Sequence, residues 1–255
     1  MEQKTMTKII FILAFLLTTT LSSCCQNFFG THNAQGVIQY GYLYNWWVVD
    51  LTAGDTIAAI GWHVPTQVEF ETLSTYLGGN TISGGKLKET GITHWTTPNT
   101  DATNEVGFNG RGGGIRGNNG LWYYYTQTFE MWASSPSTAS GGVGVLLQYN
   151  SASMSFGVYT FKESGYSIRL LKDATTLSDG ETGTYTGNDG KVYRTICIGT
   201  QEWLADNLCE TKYRNGDWIT GYDSGVYTPI SDAAWAALTT EAMCAYNDDE
   251  SNAIY

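Results

Sequence analysis

Residues that carry nucleophilic or metal chemistry are scarce in this 255-residue chain. It has three histidines, His32, His63 and His94, and no His-x-x-x-His, Cys-x-x-Cys or Gly-x-Ser-x-Gly spacing. A zinc site, a dithiol redox centre and a serine hydrolase therefore all lack their sequence basis, and no metal or cofactor is expected. Basic residues are few as well: 13 Lys and Arg stand against 24 Asp and Glu, a formal net charge of −11. Such a chain has no electrostatic footprint for nucleic acid, and anionic lipid headgroups repel it. No apolar run approaches the roughly 20 residues that a membrane-spanning helix needs. The Gly runs at 84–85 and 112–114 are not followed by Gly-Lys-Ser/Thr, which removes a phosphate loop.

The first residues do carry an export pattern. Lys4 and Lys8 precede an uncharged apolar run, Ile9 to Leu17, and then Leu21-Ser22-Ser23-Cys24. A basic start, a short apolar stretch and small residues before a cut site describe a secretory signal peptide. The Leu-Ser-Ser-Cys tail resembles the lipobox of bacterial lipoproteins, in which the cysteine thiol takes a diacylglycerol and becomes the mature N-terminus. This reading assigns residues 1–23 to the signal peptide, Cys24 to lipid attachment and residues 24–37 to a short tether. The alternative is an ordinary signal peptide with a chance cysteine. Loss of Glu2, Lys4 and Lys8 leaves 11 basic and 23 acidic residues, a charge near −12. Contact with the membrane is then expected through the lipid alone, on the periplasmic or cell-surface face of the outer membrane.

The remainder reads as a turn-rich globular protein, with 30 Gly, 9 Trp and 17 Tyr. Tyr42-Leu-Tyr-Asn-Trp46-Trp47 suits a buried strand or packed aromatic segment. Thr66-Gln-Val-Glu69 after Pro65 is a capping-box pattern, Phe70, Leu73 and Leu77 form one apolar face, and Gly78-Gly79 stops the helix. Residues 84–120 are Gly- and Asn-rich loops that call for positive φ. Segments 143–149, 153–159 and 166–171 read as an antiparallel meander, 174–184 as a linker, 190–199 as a strand and 231–238 as a short helix. His63 is expected to make a structural hydrogen bond. The acidic turns around Asp101 and Asp248 match no defined cation loop and read as solvated. Cys197, Cys209 and Cys244 allow one disulfide with one thiol left over; Cys197–Cys209 is the pairing favoured here, against three buried free thiols.

One stretch suits binding. Asn118-Asn-Gly-Leu-Trp122-Tyr123-Tyr124-Tyr125-Thr-Gln127 is followed by Trp132, and Tyr149, Asn150 and Tyr159 fall in the next strands and turns. Tyrosine adds contact area at low entropic cost, and rigid aromatic faces stack on sugars. Trp122 and Trp132 each read more readily as core than as binding residues. Tyr123 to Tyr125 cannot all be buried in a strand, because successive side chains alternate faces.

Several motifs together resemble the Fibrobacter succinogenes major paralogous domain, a family of exported bacterial proteins. They are Tyr42-Leu-Tyr-Asn-Trp46, Gly61-Trp-His-Val-Pro-Thr66, Gly85-Lys-Leu-Lys-Glu-Thr-Gly91, Thr103-Asn-Glu-Val-Gly-Phe108, Trp132-Ala-Ser-Ser135, Gly165-Tyr-Ser-Ile-Arg169, Asp189-Gly-Lys-Val-Tyr193 and Ile198-Gly-Thr-Gln-Glu-Trp203. The order differs from the family's: the segment 38–173 resembles its C-terminal half and 185–255 its N-terminal half. The resemblance implies an α+β, C-type-lectin-like domain with short antiparallel strands, two short helices and long Gly/Asn-rich loops. In it the two segments complete one fold by circular permutation, or else flank an incomplete tandem array. Cysteines that the family often carries before Gly-Trp-His and after Ser-Val-Arg are replaced here by Ala58 and Leu170. Fold alone does not fix function. The expected role is a non-enzymatic membrane-anchored lipoprotein that binds a glycan or protein. A subunit of a surface fibre or adhesin assembly is the alternative, and a formylglycine-generating-type enzyme a weaker one.

Overall fold

The computed structural model describes residues 39–50, 56–135, 138–139 and 141–254. The segments expected to be a signal peptide and a tether, with Cys24, lie outside the described residues. No helix among the described residues is long and apolar enough to cross a membrane.

The capping box forms as the sequence requires. Thr66 Oγ1 accepts from Glu69 N at 3.3 Å and Glu69 Oε2 accepts from Thr66 N at 2.7 Å, which starts helix α1, Gln67–Tyr76. Gly78 and Gly79 adopt φ of +100° and +102° and end it. Phe70, Leu73 and Leu77 face inward onto strands β5 (Thr128–Ala133), β6 (Gly141–Gln148) and β7 (Met154–Phe161), an antiparallel sheet in the order β5-β6-β7. The same apolar cluster takes in Ile196, Ile198 and Trp203 from the second sheet.

That second sheet has five antiparallel strands in the order β2-β8-β11-β10-β9. Strands β2 (Trp62–His63) and β8 (Leu171–Lys172) come from the first segment; β9 (Thr182–Thr186), β10 (Val192–Ile198) and β11 (Gln201–Leu204) come from the second. Leu171 pairs with Trp203 and with His63, so the sheet is continuous across the two segments. Strand β1 (Leu43–Tyr44) likewise pairs with β14 (Met243–Cys244). The smaller pairs are β3 (Ile115–Arg116) with β4 (Trp122–Tyr123), and β12 (Tyr222–Asp223) with β13 (Val226–Tyr227). Helices α2 (Ser83–Leu87) and α3 (Asp232–Ala236) are single short pieces, the latter capped by the Ser231 hydroxyl. The fold is therefore α+β. A second apolar cluster, with Tyr42, Tyr44, Trp46, Trp132, Tyr166, Tyr185, Tyr193 and Leu208, also draws on both segments.

Three expectations need correction. The third strand of the meander is β5, not Tyr166–Leu171: Tyr166 and Ser167 only touch Tyr44 and Met131 by single bridges, and Leu171 enters the five-stranded sheet. β5 is buried along its whole length, so it lacks the alternation that betrays a strand. Strand β9 begins at Thr182, inside the stretch read as a linker. The Cys197–Cys209 disulfide is absent, and Cys197, Cys209 and Cys244 are buried free thiols. Cys197 lies near the β10–β11 turn with Sγ against the Leu177 and Gly199 carbonyls. Cys209 lies beyond the far end of β11, with Sγ against the Ala253 carbonyl at 3.8 Å. Cys197 pairs with Glu202, two residues or about 7 Å short of that end at Leu204, and Cys209 lies five residues farther along the chain.

Three cations stand inside the protein: Lys88, Arg116 and Arg169 are each fully buried. Lys88 Nζ donates to the carbonyls of Thr100, Gln148 and Ser151 at 2.8–2.9 Å. Arg169 donates to the carbonyls of Phe108, Asn109 and Leu204 and to Asn207 Oδ1. Arg116 donates to the carbonyls of Gly120 and Ile230 and to Asp232 Oδ1. Because a buried carbonyl left without a donor costs about 1–3 kcal/mol, Lys88→Met is expected to lose at least about 3 kcal/mol of unfolding free energy by urea titration. A stability equal to wild type would show that burying the ammonium cancels those bonds.

The core is also rich in acidic protons. Burial pushes Tyr42, Tyr44, Tyr166, Tyr185 and Tyr193 far above the usual tyrosine range, raises Cys209 and takes Cys244 to about 12. In the unfolded chain tyrosines ionise near 10 and thiols near 8.5. Above pH ~9 the folded chain thus holds more protons than the unfolded one, and stability falls as pH rises. Lys88 and Arg169 work the other way, since burial lowers them to about 8 and about 9, but they are two groups against seven. At about 1.4 kcal/mol per group per pH unit, the five tyrosines alone approach about 7 kcal/mol per unit near pH 11. Cooperative unfolding between about pH 10 and 12, read by circular dichroism, is expected; a fold stable past pH 12 would contradict it.

Candidate functional site

The aromatic-polar stretch folds into a loop with a rigid inner layer and an exposed outer one. Trp122 on β4 lies against the Arg116 guanidinium at 4.5 Å, and Trp235 of α3 lies against the same guanidinium at 4.5 Å. This stack holds Trp122 half-buried. Tyr125 turns inward. It stacks on Tyr246 at 4.6 Å and 21°, meets Tyr40 at 5.1 Å and donates its hydroxyl to Asn252 Oδ1 at 3.0 Å. Trp122 meets the same Tyr246 ring at 5.2 Å, and Tyr40 receives His94 edge-on at 5.2 Å. An aromatic row from Trp122 through Tyr246, Tyr125 and Tyr40 to His94 thus underlies the loop. Gly114 is obligatory beneath it: at φ +64°, a Cβ there would stand 2.6 Å from the Tyr123 carbonyl and 2.8 Å from the Tyr246 ring.

The outer layer is strained. Tyr124 and Thr126 have φ of +60° and +57°. Left-handed backbone is a genuine outlier for bulky and β-branched residues. Thr126 is fixed there from both sides, by its N–H to Gly112 O at 2.7 Å and by its carbonyl and hydroxyl to Thr96, each at 2.8 Å. The Tyr124 carbonyl accepts from Gln127 N and Thr128 N. The outcome is that Tyr124 stands 52 % exposed. Tyr123 lies beside it at 5.9 Å, its hydroxyl held by Asn119 Nδ2 at 2.8 Å.

Of the residues expected to bind, Tyr123, Tyr124, Gln127 and Asn150 are gathered at the surface, with Trp122 at their inner margin. The β6–β7 turn docks onto the loop through Tyr149 N to Gln127 O at 2.9 Å, which brings Asn150 alongside. Tyr149 itself is half-buried against the cluster around α1. Tyr125 belongs to the inner layer. Trp132 is no ligand contact: it is fully buried, stacks on Tyr166 at 4.4 Å and donates its indole N–H to Tyr44 O at 2.7 Å. The Tyr159 side chain lies outside what the structure describes. Tyr40, His94, Asn119, Tyr246 and Asn252 are the additions. No local spacing marks Tyr246 or Asn252, because they reach the loop from more than 100 residues away.

Chemistry elsewhere is structural. His63 sits between Asp173 Oδ1 at 2.6 Å and Glu69 Oε1 at 3.0 Å, tying α1 to the end of β8. Glu89 holds His94 and Arg111; burial works against its charge, but those bonds keep its carboxyl below the usual range. The raised thiols are the reverse of a nucleophilic thiolate. Among the described residues, no group of three His, Cys, Asp or Glu is placed to hold a metal.

Release of the left-handed backbone gives a test. An L-residue in this conformation costs about 1–2 kcal/mol, so Tyr124→Gly is expected to raise stability by up to about 1 kcal/mol, or roughly 2–4 °C in Tm for a chain of this size. A lower Tm would mean that Tyr124 packs as structure.

A model of the Fibrobacter succinogenes major domain matches residues 18–172, more than half of the chain. No curated protein and no solved structure matches.

Proposed function

The chain belongs to the Fibrobacter succinogenes major domain family, and from that premise we propose that it is a non-enzymatic, exported binding module, anchored by lipid on Cys24, that takes a glycan on the Tyr124 loop. The observation that carries this reading is the pair of left-handed L-residues, Tyr124 and Thr126, in one loop. Strain of this kind persists only where its surroundings enforce it, and it gathers at binding and active sites. Here the enforcement serves to hold an aromatic ring in solvent. Asn118, Asn119 and Gln127 of the same stretch, and Asn150 of the turn docked on it, offer exposed amides. An aromatic face for sugar C–H groups and amides for sugar hydroxyls form a glycan-binding set. The net charge of −11 favours neutral or cationic ligands over acidic ones.

The C-type-lectin-like character and the permuted order belong to the same reading. The described chain begins and ends side by side, with Gln39 N donating to Ala253 O at 2.9 Å and Tyr40 N to Asn252 O at 3.2 Å. Adjacent termini are what permutation requires. The lipobox-like Leu21-Ser22-Ser23-Cys24 supports the anchor and the outer-membrane location.

Screening on a glycan array, followed by titration of the best ligand, tests the assignment. Loss of one stacking ring is worth about 1–1.5 kcal/mol, so Tyr124→Ala is expected to weaken binding about tenfold with Tm unchanged or higher. Equal affinity in Tyr124→Ala would reject the loop as the site.

A further inference from the structure

Buried carboxylates in this protein are answered. Glu202 has Lys172 at 2.9 Å, Asp189 has Lys191, and Glu210 accepts the backbone N–H groups of Asn188, Asp189, Thr211 and Lys212. Glu130 is different. It is 7 % exposed, yet among the described residues no cation pairs with it and no backbone N–H donates to its carboxylate. The hydroxyls of Tyr166 and Thr128 flank it and offset part of the effect of burial, which pushes the carboxyl up. Thr128 Oγ1 is itself buried without a close hydrogen-bond partner. The Glu130 carboxylate oxygens are not among the atoms that are both sealed and unpartnered, and the residue keeps a little surface.

Its place on the sheet bears on that surface. Thr128, Glu130 and Trp132 share one face of β5. At the Trp132 end the face is closed by the Tyr166 ring and by Trp46 packed on Gly142, where a Cβ would stand 2.1 Å from the indole. Toward the other end the neighbouring strands come to the surface, although Thr128 itself stays buried. Opposite Glu130 is the half-buried Leu146, followed by the exposed Ser155, and opposite Thr128 is the exposed Gln148. Glu130 stands at the border, and Tyr124, whose carbonyl accepts from Thr128 N at 3.1 Å, rises at the Thr128 end.

We propose that Glu130 anchors a primary ammonium group of the ligand, and that the ligand is a glycan carrying an unacetylated amino sugar beside the Tyr124 ring. The proposal rests on the Tyr124 loop being the binding site. A desolvated carboxylate without an internal cation is costly to keep, and a ligand cation supplies the missing charge. Tyrosine rings favour cations near their faces. With only 7 % of Glu130 exposed, a compact ammonium suits it better than a planar guanidinium. The exposed amides around Tyr124 fit the hydroxyls of a sugar, which favours an amino sugar over a lysine side chain.

The test titrates the mature protein calorimetrically with a glucosamine oligomer, with its fully N-acetylated counterpart and with a short lysine-bearing peptide. The glucosamine oligomer is expected to bind at least tenfold more tightly than the other two. E130Q is expected to lose that preference, weakening glucosamine binding at least tenfold while Tm holds or rises. No binding of the glucosamine oligomer, equal binding of the acetylated one, tighter binding of the peptide, or a lower Tm in E130Q would overturn the proposal. If E130Q is silent while Tyr124→Ala abolishes binding of a neutral glycan, the ammonium is rejected and the loop stands. If E130Q acts and Tyr124→Ala does not, the anchor stands and the loop assignment falls.

Discussion

The architecture depends on donors sent from side chains to buried backbone. Between residues 84 and 127 the chain runs mostly as loop, and so do 205–221 and 228–231. Loops usually stay on the surface because their carbonyls have no ladder to join. Here the interior loops are tolerated because Lys88, Arg116 and Arg169 bring charged donors to them. Each cation ties together stretches far apart in sequence: Lys88 joins residues 100, 148 and 151, Arg169 joins 108–109 with 204 and 207, and Arg116 joins 120 with 230 and 232. Glu210 does the converse, gathering backbone N–H groups of 188–189 and 211–212. For Lys88 and Arg169 the charge is spread over several dipoles, while Arg116 also has the Asp232 and Asp248 carboxylates at 3.2 and 3.6 Å. The aromatic faces of Trp95, Trp122, Trp235, Phe108 and Phe129 complete the surroundings of the three cations.

This explains which parts of the fold were legible in the sequence. Helix α1 was, because its start, face and stop each follow from contacts within about four residues: the Thr66–Glu69 box, the Phe70–Leu73–Leu77 stripe and the Gly78-Gly79 end. The loops around Gly107, Gly114 and Gly120 were legible as positive-φ turns, though Asn99, Asn104 and Asn109 share that duty. Strand β5 was not, since burial on both faces erases its period. The sulfur pairing was not either: spacing along the chain says nothing of the hairpin that carries Cys197 and Cys209 to opposite ends of β10 and β11. In the candidate site, the exposed outer layer followed from composition and from the alternation argument, which required one of Tyr123–Tyr125 to face solvent. The inner layer depended on Tyr246 and Asn252, which only the tertiary fold brings near.

Sharing of both apolar clusters by residues 39–173 and 182–254 has an energetic consequence. Tyr185 meets Trp62 at 5.0 Å, Phe70 meets Trp203 at 5.1 Å, and Tyr42 meets Tyr227 at 6.2 Å. Neither segment alone closes a core around its aromatics, so their stabilities are not separable quantities. The loop site inherits that dependence. Its floor is Tyr246 from one segment and Tyr125 from the other, so the geometry at Tyr124 exists only once both have folded.

Local stability and presentation of the site oppose each other. A glycine at position 124 would relax the backbone, and a neutral side chain at position 130 would remove a desolvated charge; both would ease folding locally. The chain instead keeps an exposed ring on a left-handed residue and a carboxylate without a cation at adjacent places on one surface. Two independent departures from the local optimum, one conformational and one electrostatic, meet within a few residues of the start of β5. Packing accounts for neither: Tyr124 is exposed, and no cation among the described residues pairs with the buried Glu130. The proposed recognition of something that supplies an apolar face and a positive charge would account for both, and it is in keeping with the overall acidity of the chain.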